Sequence, residues 1–338
     1  MPFLTALFDL NGTATRKQAL RVFAVLVAAL AGVALLEHWA SSYTRYALPF
    51  FGLVHVWWWA TVVRRLHDAG RSGGWAALMV VPLLAALVSV AALLPRSHRT
   101  FNDSHAGLRA AGSVALVLVA IFWVSRLFWA PFWIPTEAMK PTLLVGDYLA
   151  VAHMPAQDLQ RGDVVVFRHP VTGVPMVARL IGVPGDVLRM QAGQVEMNGA
   201  RLAQEDAGLM RETYRPQGPL ATLPRCFNAV VGVGGICEKQ LARETLPDGR
   251  SYRVANIQTG AFADDIGPFA VPEGHLFLLG DNRDNSADSR FAQGAGGLGF
   301  VPAENVIGRV TRVIVSTAGT SLWAVWDWRG DRMFGSVE

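Results

Sequence analysis

The sequence predicts a multi-pass α-helical membrane domain followed by a mainly β soluble domain, an antiparallel β-fold with long loops. Three observations carry that expectation. Apolar residues make up 52% of the 338 residues and mean hydropathy is +0.31, high for a chain wholly in water. The long apolar runs lie before residue 135, and the remainder is an ordinary globular mixture. That second part is a series of short β-prone runs broken by Gly and Pro, with no long amphipathic helix between them.

Four apolar runs account for the membrane half: roughly Leu20–Leu36, Tyr46–Val63, Trp75–Leu94 and Ser113–Trp129. Each is near the length that crosses a hydrocarbon core. The first lies too far from Met1, and lacks the small-residue site that would follow a removable signal peptide. Trp57, Trp58, Trp59 and Trp75 suit interfacial anchoring, since indole prefers the headgroup level. Between the second and third runs lies "RRLHDAGRSGGW". Arg64, Arg65, His67 and Asp68 could form a polar site there, but a basic loop that sets topology is the favoured reading. Arg16, Lys17, Arg21, Arg64, Arg65 and Arg71 fall on one side of the runs, and Arg45, Arg96, Arg99 and Arg109 on the other. Counting positive charge thus mildly favours an N-terminus inside, which with four full spans would leave the second half inside as well; an extracytoplasmic second half needs either an N-terminus outside or one run that does not cross fully. Arg126 is placed to snorkel at the end of the last run, and the apolar "LFWAPFWIP" after it suggests a surface that continues along the membrane.

In the soluble half, "DYLAVAHM", "DVVVFRHP", "MVARLIGVPGD", "VLRMQAGQVEMNG", "HLFLLGD" and "VIGRVTRVIV" read as strands. Residues 200–268 are poor in pattern and read as an insertion. The net charge of +4 is modest and no basic face with interleaved aromatics appears, which argues against nucleic acid as a partner. The two cysteines, Cys226 and Cys237, have no Cys or His neighbours that would make a zinc site, and no metal or cofactor is expected. Their spacing suits a small disulfide loop, with a pair of buried thiols as the other possibility.

Three local motifs then line up: "PFWIPTEAMKPTLLVGDYLAV", "RGDVVVFRHPVTGVPMVARLIGVPGD" and "GDNRDNSADSRFAQGAGGLGFVPAENVIGRV". Together, over about residues 120–315 and in the same order, they resemble type I signal peptidases, membrane-bound Ser-Lys proteases that remove signal peptides after Ala-x-Ala-like sites. "GTATRKQ" with the basic loop resembles, over about residues 1–100, a small bacterial inner-membrane domain family of unknown function. The division that follows is a membrane domain of about three spans at 1–110, an anchor helix at 111–135, and an extracytoplasmic β-rich peptidase domain at 136–338. An oxidising compartment for that domain favours the disulfide. The bacterial inner membrane is the implied location, with exported preproteins and the bilayer as partners and the secretion machinery as a further candidate.

The resemblance assigns roles residue by residue. The nucleophile position is Ala138 and the general-base position is Ala178, so both reactive groups are missing. Thr136 matches the oxyanion-hole hydroxyl, alongside the backbone N–H of residue 138. Ser286 matches the hydroxyl that orients the lysine. Phe132, Ile134, Leu143 and Val177 match the pockets for small side chains. Asp281, Asn282, Arg283, Asp288 and Arg290 match structural support. Lys140, His153 and His169 are bases, but none matches a position that replaces both lost groups. Losing either half of such a dyad removes most of the rate. Deliberate inactivation and a natural non-catalytic peptide-binding or regulatory relative both fit. Intact support and two identical alanines favour the first. A cytosolic Ser-Lys self-cleaving repressor shares this kind of β-fold, but the apolar runs argue against it.

Overall fold

The computed structural model describes residues 10, 12–94, 106–218, 220–228, 230–322 and 324–337. The chain splits into two compact units, Met1–Phe128 and Trp129–Glu338.

The first unit is helical. Helix α1, Arg16–Asp68, starts at a capping box in which Thr15 and Gln18 exchange hydrogen bonds. The first two apolar runs are both parts of this one 53-residue helix. Two of its stretches, Arg16–Trp39 and Tyr46–Asp68, are long and apolar enough to cross a membrane. The third run divides at Pro82, which lacks a backbone N–H. A 3-10 turn, Gly73–Val80, gives way to α2, Pro82–Leu93, whose 12 residues are short of a membrane span. Helix α3 is Ala106–Ser125.

Two sequence expectations change here. Trp58 and Trp59 are not interfacial anchors: they are 3% and 1% exposed and pack with Val62, Leu66, Met79 and Leu116 in the core of the unit. The basic stretch is not an open loop either. Arg65, His67 and Asp68 are buried at the end of α1, where Arg65 pairs with Asp68 at 2.7 Å and His67 meets the Gly12 carbonyl. Burying a charge requires such a partner.

The expected 111–135 anchor helix stops short at Ser125, and strand β1, Trp129–Trp133, begins in its place. Pro131 fits this strand because β1 is the edge of its sheet. The second unit carries fourteen strands among its described residues. Its main sheet runs β1, β2 (Asp147–His153), β14 (Val306–Ser316), β3 (Val164–Arg168), β4 (Pro175–Gly182), β12 (His275–Leu279) and β13 (Val301–Pro302). Every pairing in it is antiparallel. Alternation along each strand splits its residues between two cores. Val164 and Val166 join Ile134, Leu143, Leu149 and Val151, whereas Val165 and Phe167 join Ala178, Leu180 and Leu278.

A four-stranded sheet holds β5 (Val187–Gln191), β6 (Gln194–Met197), β7 (Ala200–Arg201) and β11 (Ile266–Ala270). The stretch expected to be patternless is ordered as a three-stranded sheet of β8 (Ala203–Thr213), β9 (Ile236–Thr245) and β10 (Ser251–Asn256). Its outer strand β8 has no buried residue, so it lacks the alternation that marks a half-buried strand in sequence.

Candidate active site

The site is built where the link between β1 and β2 meets the turn after β12. Residues 134–146 do not form a strand. They leave β1 and turn through residues 138–142. Leu143 N–H donates to Met139 and Gly146 N–H to the Ile134 carbonyl, which closes the link on itself. Ile134 and Leu143 are fully buried beneath it, and Phe132 and Val177 pack against the same cluster. The four residues expected to shape the peptide pockets therefore share one apolar cluster.

Ala138 is half-buried and its carbonyl accepts from the Asn282 N–H at 2.9 Å. Asn282 also donates its side-chain amide to the Glu137 carbonyl at 3.2 Å. Among the described residues the N–H of Ala138 donates to no acceptor. Thr136, two residues earlier, is exposed.

Gly280 is the meeting point. A methyl group there would collide with the Ser286 side chain and lie 2.7 Å from the Ala138 carbonyl. Strands β12 and β4 pair Leu278 with Leu180 and Leu279 with Arg179. That register ends at this pair, one residue before Gly280 and one after Ala178. Positions 138 and 286 therefore meet at a residue without a side chain, and Ala178 lies on β4, the strand paired with β12. Gly280→Ala should displace Ser286 and the 137–139 backbone. The expected cost is about 1–3 kcal/mol, with loss of peptide binding, measured by thermal melting and fluorescence anisotropy.

The support residues form a chain of buried charges. Asp281 takes a bidentate contact from Arg179 at 2.7 Å and a third hydrogen bond from Thr142. Burial alone would lower the Arg179 pKa, but Asp281 outweighs it and raises the value. Asp288 accepts from the Gly280 N–H and from Arg290, and Arg290 donates to the Arg283 carbonyl. Arg283 in turn grips Glu244 of β9 with both terminal nitrogens. Tyr252 of β10 donates to Glu244 and lies under the Arg179 guanidinium, 4.2 Å from ring centre to charge.

The family model described as "Signal peptidase, peptidase S26" matches residues 108–315. The chain belongs to the signal peptidase family. Signal peptidase I of Rickettsia typhi is 32% identical over 262 residues, covering 69% of this chain and 85% of that protein. Signal peptidase I of Rickettsia felis is 33% identical over 245 residues, covering 64% and 81%. A crystal structure of a signal peptidase I from Enterococcus faecalis aligns at 25% identity over 46% of this chain and 97% of its own, with a TM-score of 0.24. Residues 7–126 match DUF805, a family of unknown function, which supplies the N-terminal domain.

The other bases weighed for this signal peptidase chain are engaged elsewhere. His169 accepts from the N–H groups of Val171 and Thr172 in its own turn. His153 lies at the end of β2, beside Ile307. Lys140 is buried and donates to Glu137, Glu212 and Gln217 at 2.5–2.9 Å. Fully occupied by acceptors, it is no substitute for a neutral base.

Sequence reading missed this cluster. Glu137 and Lys140 meet Glu212 and Lys239 from the three-stranded sheet, beside the disulfide between Cys226 and Cys237. Burial pulls the Glu212 carboxyl up, but Lys140 and Lys239 outweigh it and hold it below its ordinary 4.5. A folded value below the unfolded one stabilises the fold above about pH 4.5 and loses that contribution as pH falls through the folded value. Glu212→Gln should therefore cost on the order of 2 kcal/mol at pH 7. The difference from the parent should narrow in acid, in paired melts at pH 7 and pH 3.

Proposed function

We propose that the β unit is a signal-peptide-binding peptidase scaffold that holds the signal peptides of exported preproteins and, as this sequence stands, does not cut them. The reaction for which the frame is built is cleavage after small residues by a serine nucleophile and a neutral lysine base. One observation carries the reading. Positions 138 and 286 meet at Gly280, residue 178 lies on the strand paired with β12, and Phe132, Ile134, Leu143 and Val177 share one apolar cluster, yet residues 138 and 178 end in methyl groups. A methyl group can neither attack a carbonyl nor accept a proton.

In this reading Thr136 and the N–H of Ala138 stabilise the oxyanion, and Ser286 orients the base. Phe132, Ile134, Leu143 and Val177 accept small side chains. Asp281, Asn282, Arg283, Asp288 and Arg290 hold these parts in place. The same reading takes the helical unit, about residues 1–110, and an anchor around α3 as what holds the chain in the bacterial inner membrane as a multi-pass protein. The β unit lies on the periplasmic side, where a disulfide persists.

The test is a detergent-solubilised precursor with an Ala-x-Ala site. The full chain should bind it without cleavage, and the Ala138→Ser/Ala178→Lys form should cleave it. If neither form cleaves but both bind, the chain is a natural non-catalytic binder of signal peptides. The intact hydrogen-bonded support around two alanines is the observation that keeps this second reading open.

A further inference from the structure

The two cysteines flank the groups that hold Glu137, the neighbour of the nucleophile position. Arg225, next to Cys226, donates its backbone N–H to Glu137 Oε2 at 2.9 Å. Lys239, two residues after Cys237, places its ammonium 3.5 Å from Glu137 Oε1. The same ammonium lies 3.7 Å from the Cys237 sulfur. The disulfide thus ties together the segments that grip the two oxygens of one buried carboxylate.

Arg225 reaches further. Its guanidinium donates to the Asp284 carbonyl at 3.2 Å and to Asn285 Oδ1 at 3.1 Å. Asn285 itself donates to Glu137 Oε2 at 3.1 Å. Arg225, Glu137 and Asn285 therefore form a closed triangle. Its corners are the residue before 138, the residue before Ser286, and the residue before Cys226.

The Arg225 side chain is exposed, so its worth as a surface stabiliser is small. Its geometry is that of a brace between two site segments nearly 150 residues apart, 137 and 285. We infer that Arg225 is a positioning residue, held in place by the Cys226–Cys237 disulfide, that sets the spacing between residue 138 and Ser286 through Glu137 and Asn285. Reduction of the disulfide in the folded protein would then loosen the site while leaving the β-sheets paired. The inference rests on reading positions 138 and 286 as the peptidase site.

The experiment uses the full chain in detergent and two readouts. One is hydrogen exchange of the segments 136–140 and 282–288, with β5 and β6 as internal control. The other is affinity for a fluorescent synthetic signal peptide carrying an Ala-x-Ala site. Arg225→Ala and Cys226→Ser/Cys237→Ser should each speed exchange in both segments, leave β5 and β6 unchanged, and weaken the peptide by about tenfold. Arg225→Lys should recover part of the loss. Unchanged exchange in Arg225→Ala, whose disulfide is intact, overturns the brace even if the cysteine variant fails to fold. Peptide binding by the parent with no change in the variants keeps the site and removes the brace. Faster local exchange in the variants, with a parent that binds no peptide, keeps the brace and removes the site reading.

Discussion

Installing Ala138→Ser and Ala178→Lys together is expected to produce cleavage at least about three orders of magnitude faster than either change alone, because the two groups act as one unit. The surroundings of residue 178 give the physical reason. Ala178 is 3% exposed, in a cluster with Val165, Phe167, Leu276 and Leu278. A lysine there would lose most of its hydration, which drives its pKa down and supplies a neutral amine near neutral pH. The Ser286 hydroxyl lies beside Gly280, the residue that follows β12, and β12 pairs with the strand that carries residue 178. The lone serine at 138 would have no base, and the lone lysine at 178 no nucleophile. The pH–rate profile of the double variant should therefore rise through a pKa well below the ordinary lysine value of about 10.4. A folded double variant that binds the precursor and shows no cleavage at any pH would sink the dyad assignment.

Replacing Arg179 by alanine is expected to destabilise the full chain by about 3–5 kcal/mol, because it strands a buried charge. Asp281 is 1% exposed, and Arg179 supplies both of its ionic contacts. Arg179 also donates to the Gly162 carbonyl, which ties the turn before β3 to β4. The companion Arg179→Ala/Asp281→Ala variant removes both charges and should lose less than the single change. Thermal melting in detergent of the parent and the two variants checks this order. Equal melting temperatures for parent and Arg179→Ala would show that Asp281 finds another partner.

Much of the site was legible because its information is local. Gly280 to Arg290 contains its own partners: Asp288 binds the Gly280 N–H and the Arg290 guanidinium within a few residues. Most expected strands of the main sheet also announced themselves by alternation or by continuous β-branched runs, as "VVVF" does in β3. What escaped depends on distant segments. Glu137, Glu212 and Lys239 are ordinary charged residues in sequence and form a network with Lys140 only when β8 and β9 meet the 137–140 turn. Strand β1 escaped because "WAPFW" has the composition of a membrane interface, and its partners at 148–152 lie beyond the turn. Trp58 and Trp59 misled for a related reason: indole rings suit both headgroups and helix cores.

The order of the main sheet sets when the site can exist. Strand β14, from residues 306–316, lies between β2 and β3, which are separated from each other by only a short loop. Until β14 arrives, β2 and β3 have no shared neighbour, and the pocket cluster lacks Val310 and Val313. During synthesis, almost the whole β unit must therefore emerge before this apolar cluster closes. A nascent chain would expose two apolar strand edges for that interval, and the cluster around Val310 and Val313 would be among the last features to mature.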